Sequence, residues 1–506
     1  MRIVTATQAA GLVPDGATVI PGGFGCCGNP EAVLKALGAR FRAEGRPRNL
    51  TLLFAAGPGD RGERGLNHLA QEGLVARAIG GFWGFAPKLG RPAEAEAIEA
   101  HNWPQGVVSH LFRAMAARLP GIASRVGLET FVDPDQEGGR MNARAEPGLV
   151  QKTRMQGRPY LLYPALKADV AIIRGTRADA NGNISMDREV SFQDALSQAQ
   201  AAHNAGGIVI AQVAELTRAR LDPHAVSVPG CLVDYVVVAE PEDHMQTWAE
   251  AFNPAYVGAD TAAPDGEPPL SPLVRRIVSR RAARELAHHP GAIVNLGIGI
   301  PAEIGRAAEQ AGLRDFTLTV ESGQFGGVPA SGLSFGAAAN PQAKIDQAAL
   351  FDLYDGGGID VAFLGFAEAD SRGNVNVSRF QGRMPGIGGF ANISGAAKRV
   401  VFCGSLTAEG LDVEAGGGRL RVRAEGRTRK LLRRLSTISF NGPLAEADGR
   451  RVTFVTERAV FELVQGCLRL TEVAPGIDVG RDVVEQIEAG IVIGEELKPM
   501  DADLFH

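Results

Sequence analysis

Cysteine is scarce in this sequence: Cys26, Cys27, Cys231, Cys403 and Cys467 are all there are. The number is odd and no two stand in a CxxC spacing, which argues against a disulfide framework and a thiolate metal site and points to a reducing compartment. No stretch approaches the roughly 18 uninterrupted apolar residues of a membrane-spanning helix. The opening MRIVTATQAAGLVPDG lacks a basic segment followed by an apolar core, so neither secretion nor membrane insertion is expected. Positive charge is not in excess either. The formal charge is −5, which makes nucleic acid an unfavourable partner. Catalytic signatures of the HExxH and GxSxG kinds are missing. These absences describe a cytoplasmic protein with no bound metal.

Glycine is abundant, at 64 of 506 residues, against a usual share of about 7%. Many tight turns and close backbone approaches follow from that. The chain also repeats itself. The segment from Asp169 through Asp179 to Gly182-Asn183 matches the one from Asp360 through Asp370 to Gly373-Asn374 at a constant offset of 191 residues. A second match joins Gly16 to Pro30 with Gly291 to Pro301, the later copy having the shorter loop. In each half, short apolar runs read as strands buried on both faces: Ala17 to Ile20, Leu50 to Phe54, Ile208 to Val213, Phe316 to Val320, Val361 to Leu364 and Val400 to Cys403. Helical spacing follows Pro30 (Val33, Leu34, Leu37, Phe41) and Pro301. The stretch from Asn253 to Pro269 is rich in Pro, Gly and Ala and has no periodicity. The expected organisation is therefore an α/β chain with an N-terminal domain at 1–252, a linker at 253–272 and a C-terminal domain at 273–506.

Gly23-Phe24-Gly25-Cys26-Cys27-Gly28 matches the GxGxxG spacing between a strand and a helix. The next strand ends in Ala55-Ala56-Gly57-Pro58, without an acidic residue to hold a ribose, so the turn reads as tight helix-on-strand packing. Cys26 and Cys27 read as buried small residues of that turn. His288-His289 and the pairs Arg275-Arg276 and Arg280-Arg281 read as solvated helix surface. Glu321 is more informative: it ends a buried strand and opens the glycine-rich turn Ser322 to Pro329. Ligands collect at such strand ends in open α/β sheets, although a turn-capping glutamate has the same local signature. Asp355-Gly-Gly-Gly358 and Gly386-Ile-Gly388-Gly389-Phe390 add turns whose N–H groups are unshielded by side chains.

Several of these blocks occur together. Glu321-Ser-Gly323 is followed by Gly326-Gly-x-Pro329-x-x-Gly332, Asp346-Gln347, Phe351 to Asp360, Gly373 to Ser378, and Gly386-x-Gly-Gly-Phe390. The first half carries Gly22 to Glu31, Leu66 to Gly73, Pro104-Gln105-Gly106, Ser109 to Arg113 and Phe131 to Gly139. The combination resembles the class I coenzyme A transferases, in the subgroup of acetate and propionate CoA-transferases, over nearly the whole chain.

The resemblance implies two related open α/β domains fused in one chain, with an active site in the cleft between them. It implies that Glu321 attacks an acyl-CoA and passes through a mixed anhydride to a glutamyl-CoA thioester, with ping-pong kinetics. No cofactor is then bound permanently, since coenzyme A is both substrate and covalent intermediate. Oxyanion and CoA contacts map onto Gly297, Ile298, Gly299, Ile300 and Pro301, onto Gly365, and onto Gly386, Gly388 and Gly389. Phe82, Trp83, Trp103 and Gln105 resemble the wall of the acid pocket, on the N-terminal, acid-selecting side, with the catalytic glutamate and CoA site on the C-terminal side. Partners are acyl-CoA and short-chain carboxylic acids, with no nucleic acid or membrane, and a homo-oligomer, dimer or tetramer. Two alternatives stay open: an acyl-CoA hydrolase using the same site, and a non-catalytic CoA- or nucleotide-binding protein.

Overall fold

A computed structural model describes residues 1–258, 272–380 and 382–506. The expected linker at 253–272 lies mostly outside the described residues; of its start, Pro254–Val257 forms a single 3-10 turn whose Ala255 N–H donates to Asn253 Oδ1 at 3.0 Å.

Two compact units emerge. The first comprises Met1–Thr261, Val320–Asp352 and Gly382–Asn392; the second comprises Ala262–Thr319, Leu353–Gln381 and Ile393–His506. This grouping differs from a contiguous division near residue 260, because the segments carrying Glu321 and Gly386 to Gly389 pack with the first unit.

The first unit is built on eight strands: β1 (Arg2–Ile3), β2 (Thr18–Pro21), β3 (Leu50–Phe54), β4 (Val75–Gly80), β5 (Glu99–Asn102), β6 (Val170–Arg174), β7 (Ile208–Val213) and β8 (Tyr235–Val238). They pair in the order β1-β8-β7-β6-β2-β3-β4-β5, and every pairing is parallel. Helices α1 (Glu31–Glu44), α2 (Gln105–Ala116) and α3 (Ala195–Asn204) belong to its crossovers. Strands covered on both faces must be apolar throughout, and every residue of β6 is buried. The strand order reverses between β6 and β2, which makes the carboxyl edge of this sheet the natural place for a ligand.

The turn after β2 is filled by the protein itself. A Cβ on Gly25 would meet Phe85 Cε2 at 2.9 Å, and one on Gly28 would overlap the Gln193 carboxamide. The GxGxxG spacing thus serves packing, as its sequence context indicates. Both cysteines of the turn are buried; burial pushes the Cys26 thiol up to about 12 and holds Cys27 well above the usual thiol range, so neither is a thiolate at neutral pH.

The second unit contains β9 (Ala292–Leu296), β10 (Phe316–Val320), β11 (Val361–Gly365), β12 (Arg399–Cys403), β13 (Arg451–Val455), β14 (Ala459–Val464), β15 (Cys467–Val473) and β16 (Val492–Pro499). Its parallel part, β10-β9-β11-β12-β13, continues through antiparallel β14 and β15. The helix Leu273–Ala283 packs here, and its arginines are less solvated than their sequence suggests: Arg275 Nε donates to Glu303 at 2.6 Å, and Arg281 makes two bonds to Glu472 at 2.6 and 2.8 Å.

The internal repeat is visible as chemistry. Asp179 Oδ1 accepts the N–H groups of Asn181 and Asn183 at 2.9 and 3.0 Å, and Asn183 Oδ1 accepts Gly230 N–H at 2.9 Å. In the second unit Asp370 Oδ1 accepts from Arg372 and Asn374 at 3.0 and 3.1 Å, and Asn374 Oδ1 accepts Gly442 N–H at 3.0 Å. Likewise Asp169 Oδ2 accepts Thr18 N–H at 3.0 Å, and Asp360 Oδ2 accepts Ile293 N–H at 2.8 Å. The repeated aspartates therefore bind backbone donors that would otherwise be orphaned at turns and strand starts.

Candidate active site

β4 and β5 end side by side at the carboxyl edge of the first sheet, and their ends build the site. Asn102, the last residue of β5, is buried and spends its whole side chain on backbone. Its Nδ2 donates to Gly80 O and Gly81 O at 2.8 and 2.6 Å, and its Oδ1 accepts Ile387 N–H at 2.8 Å. The loop Gly386 to Gly389 is thereby stapled against the turn after β4. Gly388 N–H donates to Gly81 O at 2.9 Å, Gln105 N–H donates to Gly388 O at 2.9 Å, and Trp83 N–H donates to Pro385 O at 2.8 Å. Gly386 has φ +83, and a Cβ on it would lie 2.8 Å from Gly81 O and 3.0 Å from Trp83 Cδ1, so glycine is required there.

Glu321 follows β10, packs with the first unit and is largely buried. Its carboxylate lies directly on Gly389: a Cβ built there would overlap Oε2, with Cδ at 2.8 Å. Burial pushes the Glu321 carboxyl up to about 7, and the Gln105 carboxamide opposes that rise. Gln105 is itself buried, and its Nε2 has no partner of good hydrogen-bond geometry, so the amide faces the carboxylate without being aligned on it. Ser322 has a structural task, donating from Oγ to Gly336 O at 2.7 Å.

Glu321, Gln105, Gly386, Gly388, Gly389 and Phe82 are thus brought together. Phe82 is half-buried, lies at van der Waals distance (3.4 Å) from a Cβ on Gly388, and stacks edge-on against Phe85 with centroids 5.2 Å apart. Trp83, Trp103 and Gly388 stand in different surroundings from Phe82 and Gly389. Trp83 and Trp103 are core residues, 1% and 0% exposed: Trp83 donates from Nε1 to Gly80 O at 3.1 Å and packs on Phe54, while Trp103 packs on Tyr163 with centroids 5.6 Å apart. Neither offers a face to a ligand. Gly388 N–H donates to Gly81 O, while the N–H of its neighbour Gly389 has no partner among the described residues.

The remaining expected residues cluster in the second unit at the carboxyl ends of β9 and β11. Gly297 N–H donates to Phe363 O at 2.8 Å, and Gly365 faces Ile298 O, 3.6 Å from a Cβ built on it. Ile298 is 47% exposed, Gly299 has φ +93 with open space beside it, Ile300 is part-buried, and Pro301 is buried at the start of the following turn. Among the described residues no group of three or more His, Cys, Asp or Glu could hold a metal ion, and no helix is long and apolar enough to cross a membrane.

Sequence reasoning missed Asn102, Phe351 and Asn392. Phe351 Cζ lies 3.3 Å from a Cβ on Gly389, and Asn392 Oδ1 accepts Gly106 N–H at 3.0 Å. A polar residue closing a buried strand just before Trp103-Pro104 was the available signal for Asn102.

The chain is similar to known proteins along its whole length. Residues 3–239 match the family model of coenzyme A transferase. The whole chain is 43% identical to a caffeate CoA-transferase of Acetobacterium woodii, covering 97% of that protein. It is 42% identical over 99% of its length to the acetate CoA-transferase YdiF of Escherichia coli K12, covering 95% of that protein. The crystal structure of the YdiF acyl-CoA transferase apoenzyme from Escherichia coli O157:H7 superposes with a TM-score of 0.94 at 41% identity, over 100% of this chain and 96% of that one. The same enzyme's thioester complex with CoA superposes equally well, at 0.94 and 40% identity.

Proposed function

Because the chain belongs to the coenzyme A transferase family and transfers CoA between an acyl-CoA and a carboxylic acid, we propose that Glu321 is its nucleophile and carries CoA as a glutamyl thioester. The observation that supports this reading is the Glu321 carboxylate seated on Gly389 and faced by Gln105, at the end of a buried strand.

A carboxylate needs no general base to attack, and a CoA thiolate leaves readily because a thiol pKa is near 8.5. A Glu321 oxygen attacks the acyl carbonyl, the C–S bond breaks, and CoA thiolate leaves a mixed anhydride. The thiolate then attacks the glutamyl carbonyl, the anhydride C–O bond breaks, and the first acid departs as its carboxylate. The second acid reverses the sequence on the glutamyl-CoA thioester. Protons balance without a net donor. Each step forms an oxyanion, and Gly389, against which the Glu321 carboxylate lies, has an N–H with no acceptor among the described residues. Burial that raises Glu321 also strengthens such donors and keeps water from the anhydride. Gly297 to Pro301 and Gly365 are assigned to CoA, and acid selection to Phe82 of the first unit. The cytoplasm is the expected compartment, its reducing conditions suiting five free cysteines. The family resemblance further implies a homo-oligomer.

Label exchange tests the reading. With a single acid present, isotopically labelled acid should enter its own acyl-CoA, and initial-rate lines should be parallel. Steady loss of acyl-CoA without an acceptor would instead identify a hydrolase, and binding without either reaction would identify a sensor.

A further inference from the structure

Gln105 opens α2, and Ser109 stands one turn later on the same helix face. Ser109 is fully buried and donates from Oγ to Asp194 Oδ2 at 3.0 Å. The same oxygen accepts Nε2 of Gln347 at 2.9 Å, and that Nε2 also reaches Ser109 Oγ at 2.5 Å. Gln347 opens helix α4 (Gln347–Asp355). Its N–H donates to Gln193 O at 3.0 Å, which ties it a second time to the chain beside Asp194. One turn along α4, Phe351 lies against Gly389 and Gly106.

The other end of this network reaches Glu321 through the backbone. Ile345 N–H donates to Gly323 O at 2.8 Å, two residues after Glu321 and two before Gln347. The contacts therefore close a ring: Glu321, Gly323, Ile345, Gln347, Asp194, Ser109, Gln105 and back to Glu321.

Asp194 occupies the N-cap of α3 yet makes no capping bond with its side chain. An aspartate there ordinarily serves its own helix. Here Oδ2 serves two other helices, while Asp194 Oδ1 and Gln347 Oε1 are buried without a partner among the described residues. Polar groups left in that state cost stability, so this arrangement is poorly explained as a device for stability alone.

We propose that Asp194, with Ser109 and Gln347, is a positioning residue whose carboxylate fixes the N-termini of α2 and α4 so that the Gln105 carboxamide meets the Glu321 carboxylate. The proposal rests on the reading of Glu321 as nucleophile for its catalytic meaning, and on geometry alone for its structural content. Burial pushes the Asp194 carboxyl up to about 7, the Ser109 hydrogen bond opposes that rise and the Asp346 charge adds to it, so the Glu321→Gln baseline is what separates the two carboxyls in the titration below. Farther along the same helices His110 and Arg113 pair with Asp352 at 3.0 and 2.8 Å.

The test is an infrared difference titration of the Glu321 carboxyl in the full chain, with Glu321→Gln as the baseline. Wild type should titrate at about 7. Ser109→Ala should raise the midpoint by about half a pH unit, because the anion loses part of its amide donor. The same substitution in a Gln105→Ala background should add nothing, since the effect travels through Gln105. Asp194→Asn keeps an oxygen that accepts from both Ser109 and Gln347 and should leave the midpoint in place, while Asp194→Ala should move it. An unmoved midpoint in Ser109→Ala, or an equal shift with and without Gln105, would overturn the proposal; if Ser109→Ala does not fold, the Asp194 pair decides in the same way. Failure of wild type to form a CoA adduct would instead strike the nucleophile reading and leave this titration intact.

Discussion

The Glu321 carboxylate rests on the Cα of Gly389, so closely that the smallest possible side chain at that position would occupy the space of Oε2. Gly388, one residue earlier, meets only ordinary contact from Phe82 at 3.4 Å but holds φ +54 and a hydrogen bond to Gly81. Two adjacent glycines are thus required for different reasons.

Alanine substitutions separate those reasons. Gly389→Ala should retain a near-normal melting temperature and form the CoA adduct at least about a hundredfold more slowly, the scale of losing one well-placed transition-state donor. Gly388→Ala should instead lose about 1–2 kcal/mol of stability through left-handed strain, with a smaller change in the rate of the folded protein. Thermal melts and rapid-quench rates on both variants check this.

Stability should depend on pH through Glu321. Its folded pKa, about 7, lies above the unfolded value of 4.5. The folded state therefore binds the extra proton, and stability falls as pH rises between those values. Glu321→Gln removes this penalty and should be more stable than wild type at pH 8, by on the order of 3 kcal/mol. The difference should shrink to little below pH 5. Urea titrations at both pH values measure it, and a constant difference would contradict the assigned burial of the charge.

Catalysis should lose rate on the acid side of about 7, because only the carboxylate attacks. The single-turnover rate of acyl-CoA consumption against pH should show that limb, and Glu321→Gln should lack the reaction at every pH. Chelators should leave the rate unchanged.

Acid selectivity should reside in Phe82 rather than in the tryptophans. Trp103→Ala should cost about 3–5 kcal/mol, as loss of a large core side chain does, without altering the ranking of acetate, butyrate and hexanoate. Phe82→Ala should widen the range toward the longer acids, since a shortened wall no longer excludes their methylenes. Competition among the three acids, read by mass spectrometry, distinguishes the two.

Much of the fold was legible because buried parallel strands must be apolar end to end. Leu50–Phe54, Ile208–Val213 and Phe316–Val320 form with the boundaries that their runs suggest. The repeat was legible because Asp179 and Asp370 each bind a turn only a few residues away. What stayed hidden depends on partners distant in the chain. Asp194 and Ser109 are 85 residues apart, and Asp194 and Gln347 are 153 apart, so no local spacing announces them. Trp83 and Trp103 stand beside glycines and polar residues, a neighbourhood that reads the same whether the ring faces a ligand or the core. The choice between Gly388 and Gly389 turned on which N–H another loop had already taken.

Peptide mass spectrometry can show Glu321 covalently joined to coenzyme A. The enzyme is mixed with acyl-CoA in the absence of an acceptor acid, quenched within milliseconds, digested and mapped. The peptide containing Glu321 should gain the mass of CoA less one water, as a glutamyl thioester whose missing oxygen left with the first acid, and the adduct should disappear when a second acid is added. A fully active enzyme that shows no adduct at Glu321, or carries the adduct on another residue, would contradict it.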